Sequence, residues 1–185
     1  MIKEYKGMKA ARFQGREHLP QGGYVVKILE SKLQDYSWGQ VLILNIDVYE
    51  GEYKDFFAKD WRSNSDENRK WRGTFRITVP DEGSQYFESQ RRSFNNLIGC
   101  LEDSNSGYHY DQDEKKLKGL LIGALYREKE YEIDGKRGWT TECCSVTAVD
   151  SIRGGSFKVP EKKPLKSAAK SEVFTEVSDD DDLPF

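Results

Sequence analysis

The chain is poor in cysteine, histidine and methionine, with three, two and two among its 185 residues. Cys100, Cys143 and Cys144 form an odd set, and the neighbours Cys143 and Cys144 are badly placed for a disulfide with each other. There is no C-x-x-C pair, which argues against zinc and fits reduced thiols in a cytoplasm. No apolar run approaches the ~18 residues a membrane helix needs, and the mean hydropathy is −0.81. The first residues, MIKEYKGMKA, carry charge with no apolar stretch behind them, so no secretory signal is expected. GGYVV and RGGSF lack the Lys and Ser/Thr of a phosphate-binding loop. No nucleophile motif accompanies His18 or His109. In YHYDQDE, His109 lies near Asp111 and Asp113, but the oxygen ligands and the turn glycine of a calcium loop are missing. This stretch reads as a solvated acidic loop, and no cofactor or metal is expected.

Charge is abundant, and it is divided. Residues 171–185 hold six acidic groups and no Lys or Arg, which leaves 29 basic and 26 acidic groups in residues 1–170, a net of +3. A mildly basic body with an acidic tail fits either a nucleic-acid-binding protein or an ordinary domain with a solubilising tail.

The hydrophobic pattern is mostly period two. GGYVVKILESK and VLILNIDVYEG read as strands, the second with Leu42, Leu44, Ile46 and Val48 on one face and with Asn45 and Asp47 on the other. Between them LQDYSWGQ reads as a loop turning at Gly39. An extended, hairpin-like insert is expected next, with Phe57, Lys59 and Trp61 on one face. KWRGTFRITV follows as a strand ended by Pro80. From Ser84 to Leu101 the period becomes helical, with Phe87, Phe94, Leu97, Ile98 and Leu101 in one stripe, a cap at Ser84 and a stop in DSNSG. Gly99 in that helix is expected to mark a close approach to the sheet. Strands resume in KGLLIGALYREKEYEI and WTTECCSVTAVDSI, joined by the hairpin turn DGKRG. The pattern predicts a mainly β protein with an OB-fold, a five-stranded Greek-key barrel with one helix between strands 3 and 4, followed by a disordered acidic tail. Residues 1–159 form the domain, 160–178 a flexible linker and 179–185 an acidic tip. An open antiparallel α+β sheet is the alternative.

Between Lys54 and Arg76 seven basic residues alternate with Phe56, Phe57, Trp61, Trp71 and Phe75. Single-stranded nucleic acid calls for both ingredients, cations for its phosphates and rings for its unpaired bases. Phe75 reads as core with Ile77 and Val79. Trp61 and Trp71, flanked by Lys59, Arg62, Lys70, Arg72 and Arg76, lean toward binding. An OB-fold binds single strands across strands 2 and 3 and with the loops joining strands 1–2 and 4–5. Those loops would supply Tyr36 and Trp38, and Lys136, Arg137 and Trp139.

The final residues, DDDDLPF, closely resemble the acidic tip of bacterial single-stranded DNA-binding proteins, an Asp run closed by a hydrophobic residue, Pro and a terminal Phe. The body, in GGYVVKILESKLQDYSWGQVLILNIDVYEGEYKDFFAKDW, KWRGTFRITVP, DEKKLKGLLIG and DSIRGGSFKVPEKKPL, is similar to phage and prophage-encoded single-stranded DNA-binding proteins of Gram-positive bacteria. It does not resemble the shorter housekeeping protein, whose DNA contacts are therefore not carried over. The resemblance implies a non-enzymatic protein of DNA replication and recombination in the bacterial cytoplasm. Its tip, Asp179, Asp180, Asp181, Asp182, Leu183, Pro184 and Phe185, would dock on replication and recombination proteins. The Phe185 ring and the terminal carboxylate suit an apolar pocket with a basic rim. A homo-oligomer and no membrane partner are also expected. Two other readings remain: a metal nuclease using Asp111, Asp113 and Glu114, and an adaptor or inhibitor occupying the host pocket for such tips without binding DNA.

Overall fold

The structure, a computed structural model, describes residues 17–165. The acidic tip and linker residues 166–178 lie outside the described residues. Five antiparallel strands form one sheet in the order β3-β2-β1-β4-β5, comprising β1 (Gly22–Tyr36), β2 (Gly39–Val48), β3 (Thr74–Thr78), β4 (Leu121–Ile133) and β5 (Lys136–Thr147). Leu42, Leu44, Ile46 and Val48 of β2 are each 1 % exposed, so the period-two face seen in the sequence is the core face. Val26 and Ile28 of β1, Phe75 of β3, Ile122 and Ala124 of β4 and Val146 of β5 complete it. No described helix is long and apolar enough to cross a membrane.

The expected helix between strands 3 and 4 is α2 (Phe87–Ser104), with Leu97 and Leu101 fully buried. It starts later than expected, because the Ser84 hydroxyl accepts the Tyr86 amide in the preceding turn instead of capping the helix. At its far end Asn105 donates to the carbonyls of Leu101 and Leu121 and accepts the Leu121 amide. One amide side chain thus fastens the end of α2 to the start of β4. The DGKRG turn is the expected hairpin, with Asp134 at φ 51 and Gly135 at φ 73, the two left-handed residues of a tight turn matched to strand twist.

Three local expectations are corrected. The segment after β2 is not extended but contains helix α1 (Phe56–Ser63). Phe57 and Trp61 are four apart, so a helix and a strand both place them on one side, and the pattern could not separate the two. The loop between the first strands shrinks to the two residues Ser37 and Trp38, because Leu33, Gln34 and Asp35 continue pairing with Leu42, Val41 and Gln40. Gly99 approaches nothing: a Cβ there would have no neighbour within 4 Å. The close approach lies at Gly73, where a Cβ would fall 2.2 Å from the Ile46 carbonyl oxygen. A short helix, α3 (Val149–Arg153), seats Ile152 against the bare backbones of Gly23 and Gly123.

The edge strands β3 and β5 come near each other without pairing. β1 carries a register shift between Ile28 and Glu30, the kind of irregularity that bends a strand. Asn96 of α2 donates to the Val146 carbonyl of β5 at 3.3 Å. His18 Nδ1 lies 2.9 Å from Arg72 Nη2, just before β3, and 3.2 Å from Thr140 Oγ1 of β5. Past Val159 the chain does not leave the domain at once. Lys163 forms a parallel bridge with Lys129, donates its amide to the Glu128 carbonyl at 2.8 Å and accepts the Glu130 amide at 2.9 Å. β1 pairs with β4 only as far as Tyr126, so this strap takes β4 backbone groups that β1 does not reach.

Candidate nucleic-acid interface

Of the residues singled out from the sequence, Tyr36, Trp38 and Arg76 come together on the outward face of the sheet. Tyr36 closes β1, Trp38 forms the turn, and the two rings stack at 5.2 Å and 12°. They remain 40 % and 61 % exposed, so the stack leaves ring surface open to a ligand. Arg76 reaches the same place from β3. It is paired in register with Ile43, and the strand period turns it away from the buried Phe75. Together with Val41, Ile77 and Thr78 these three line a hollow of about 270 Å³. Arg76 makes no ion pair among the described residues.

The cluster around α1 divides into free and committed groups. The Trp71 indole N–H donates to the Gly73 carbonyl at 2.8 Å and to that of Ile46 at 3.2 Å, and its ring packs on the core cluster. These bonds give Trp71 a fixed structural place. Arg72 pairs with Asp60 at 3.1 Å and with His18, and it also donates to the Glu17 carbonyl. Lys59 donates to the Lys54 carbonyl at 2.7 Å. Trp61, half-buried, lies 6.1 Å from Trp71 and carries the Arg69 guanidinium 4.7 Å from its ring centroid. Arg62 and Lys70 are exposed beside it.

The third group sits on the β4–β5 hairpin. Arg137 pairs with Glu132 at 2.9 Å, and Trp139, 44 % exposed, has the Lys162 ammonium 5.5 Å from its ring. Lys136 is exposed at the turn. β4 meets β1 only at Gly22–Lys27, whereas the Tyr36–Trp38 tip lies at the other end of β1. The two hairpin tips therefore leave opposite ends of that strand. The Arg72–His18–Thr140 bridge does bring the α1 cluster to the base of the β4–β5 arm.

Exposed rings outside the candidates named from the sequence include Tyr49 and Tyr86. Tyr49, just past β2, has the ammonium groups of Lys27 and Lys54 each 6.0 Å from its ring. Tyr86, 63 % exposed before α2, lines a hollow with Trp38. Neither sits in a dense basic run, and only the fold places their partners beside them.

Burial pushes the thiols of Cys100, Cys143 and Cys144 above their ordinary value, which keeps them protonated. Burial also raises the Asp47 carboxyl, against the opposing pull of the Phe57, Ala58 and Val48 amides it accepts. In the acidic loop, Asp111 is held below the usual carboxylate range by its hydrogen bond with Lys116. Asp113 accepts the Lys115 amide at 3.0 Å at the start of the 3₁₀ turn Glu114–Leu117. No group of three or more His, Cys, Asp or Glu side chains among the described residues is placed to hold a metal ion.

No family model matches the chain, and no curated protein matches it.

Proposed function

We propose that this protein binds single-stranded DNA with little sequence preference, in phage DNA replication and recombination, through the outward face of an OB barrel. The strand order, the helix between β3 and β4 and the mutual approach of β3 and β5 support the barrel reading. One observation carries the functional reading: an exposed, pre-stacked ring pair beside an arginine that makes no ion pair among the described residues. Bases stack on Trp38 and Tyr36, each contributing about 1–3 kcal/mol whatever the base. Arg76, Arg62 and Lys70 neutralise phosphates and release counterions. Pre-stacking lowers the ordering cost of the site, because the rings need no rearrangement to present a face. The acidic tip recruits replication and recombination proteins. Its Asp run speeds encounter with basic partners.

The test is a titration of intrinsic tryptophan fluorescence with oligothymidylate at two salt concentrations, set beside a duplex of equal length. Quenching by the single strand, weakened steeply by salt and poorer with duplex, is expected. Unchanged emission at low salt, or equal binding of duplex, overturns the reading. Removing Asp179–Phe185 is expected to leave DNA affinity equal or higher and to abolish capture of partner proteins.

A further inference from the structure

β3 is an edge strand, so the binding face of the sheet does not stop at a neighbouring strand but at an open margin. Three hollows meet at that margin, and Thr78, the last residue of β3, lines all of them. The first is the Tyr36–Trp38–Arg76 hollow. The second, about 500 Å³, lies between Trp38, Tyr86 and Gln90. The third, about 650 Å³, opens between β3, α2 and β5 and is lined by Arg76, Arg92, Ser89, Ser93 and Ser145 among others. Among the described residues, no Asp or Glu lines any of the three. Arg92 is exposed and makes no ion pair among the described residues, whereas its neighbour Arg91 is held by Glu88 at 2.7 Å. Rings (Tyr36, Trp38, Tyr86) and cations (Arg76, Arg92) thus line three hollows joined at Thr78, with no carboxylate among the described residues that line them. Hydroxyls suited to phosphate oxygens line its far end.

Resting on the reading of the sheet face as a single-strand interface, we infer that the bound strand crosses the edge of β3 at Thr78. It stacks a base on Tyr86 and seats a phosphate between Arg92 and Arg76 in the hollow of β3, α2 and β5. The chemistry recognised there is the phosphodiester. The guanidinium groups donate to its oxygens, and the serines offer further donors. The third hollow has no exposed ring to stack a base, so the base belongs on Tyr86 and the phosphate beyond it.

The experiment compares the full chain with Tyr86→Ala, Arg92→Glu and Arg92→Gln, and with Trp38→Ala as a control on the sheet face. Binding to labelled oligothymidylate of about 20 nucleotides, long enough for an OB-sized site, is followed by anisotropy across a salt series. Tyr86→Ala is expected to weaken binding about tenfold, as loss of one stacked base does. Arg92→Gln is expected to flatten the log–log salt slope by about 0.7, the signature of one lost phosphate contact on a single strand, and Arg92→Glu to weaken binding further. Both positions are exposed, and unchanged thermal midpoints will show that the variants fold. If Trp38→Ala weakens binding while all three edge variants keep wild-type affinity and slope, the strand does not cross β3 and this inference falls, leaving the sheet-face reading intact. If the unaltered chain does not bind oligothymidylate, both fall together.

Discussion

The Asp47 carboxylate of β2 accepts the backbone amide of Phe57 in α1 at 2.9 Å, and that of Ala58 at 3.0 Å. The residue at the helix N-cap, Asp55, is left-handed (φ 59) and makes no side-chain cap bond, so Asp47 supplies the cap from a different element. It holds α1, and with it Trp61, against the end of the sheet. Asp47→Ala should leave three amides without their acceptor and cost about 2–3 kcal/mol of stability in urea unfolding. Asp47→Asn, which keeps one acceptor oxygen, should lose less.

Tyr36 and Trp38 touch little of the core, so their loss should leave stability nearly unchanged and fall on binding. Trp38→Ala and Tyr36→Ala should each weaken oligothymidylate binding by about 1–3 kcal/mol, read by anisotropy at fixed salt. Arg76→Ala should weaken it less at high salt than at low, because its share is counterion release.

Trp71 should behave in the opposite way. Its N–H fastens the approach to β3 to β2 through the Gly73 and Ile46 carbonyls. Trp71→Phe should cost about 1–2 kcal/mol in unfolding, from two acceptors left without this donor and a smaller ring, with oligothymidylate affinity within about twofold once the protein is folded. Fluorescence tests the same separation: quenching by DNA should survive Trp71→Phe and be reduced in Trp38→Ala.

Glu142 offers a pH test of the β4–β5 arm. Burial alone would raise its carboxyl, but hydrogen bonds from Lys129 and Arg127 outweigh that and hold it below its ordinary value of 4.5. A folded value below the unfolded one adds stability above about pH 4.5, and that stability is lost as pH falls through the folded value. Glu142→Gln should therefore lower the urea midpoint at pH 7, by an amount equivalent to about 0.5–1 kcal/mol. The difference from wild type should shrink and then vanish as pH falls through the folded value of Glu142.

Period-two faces and turn chemistry made much of the sheet legible in the sequence: β2, the Asp134–Gly135 turn and the helical stripe through Leu97 and Leu101 all stand where the pattern put them. What stayed hidden was hidden for physical reasons. Phe57 and Trp61 fit a helix and a strand equally, and the cap that decides between them, Asp47, lies ten residues earlier in the chain. Arg72 and Trp71 looked free because composition does not record partners; Asp60, His18 and two backbone carbonyls hold them. Arg76 lies some forty residues from Tyr36 and Trp38 in sequence and meets them only because β3 pairs in register with β2 of the β1–β2 hairpin. Tyr86 and Arg92 lie in a stretch, YFESQRRSF, whose rings and arginines read as the first turns of an amphipathic helix rather than as a binding surface.

The strap at Lys163 bears on how this protein behaves when shortened. It satisfies the Glu130 amide and the Glu128 carbonyl, and the Leu165 amide is anchored on the Glu130 carboxylate at 3.0 Å. A version cut back to Val159 would keep every residue of the sheet yet bare that stretch of backbone. A second molecule's strand could then add to it. Solubility of trimmed forms would thus hinge on half a dozen residues remote in sequence from the Tyr36–Trp38–Arg76 face, and a boundary drawn after Leu165 would avoid the sticking that one drawn at 159 invites.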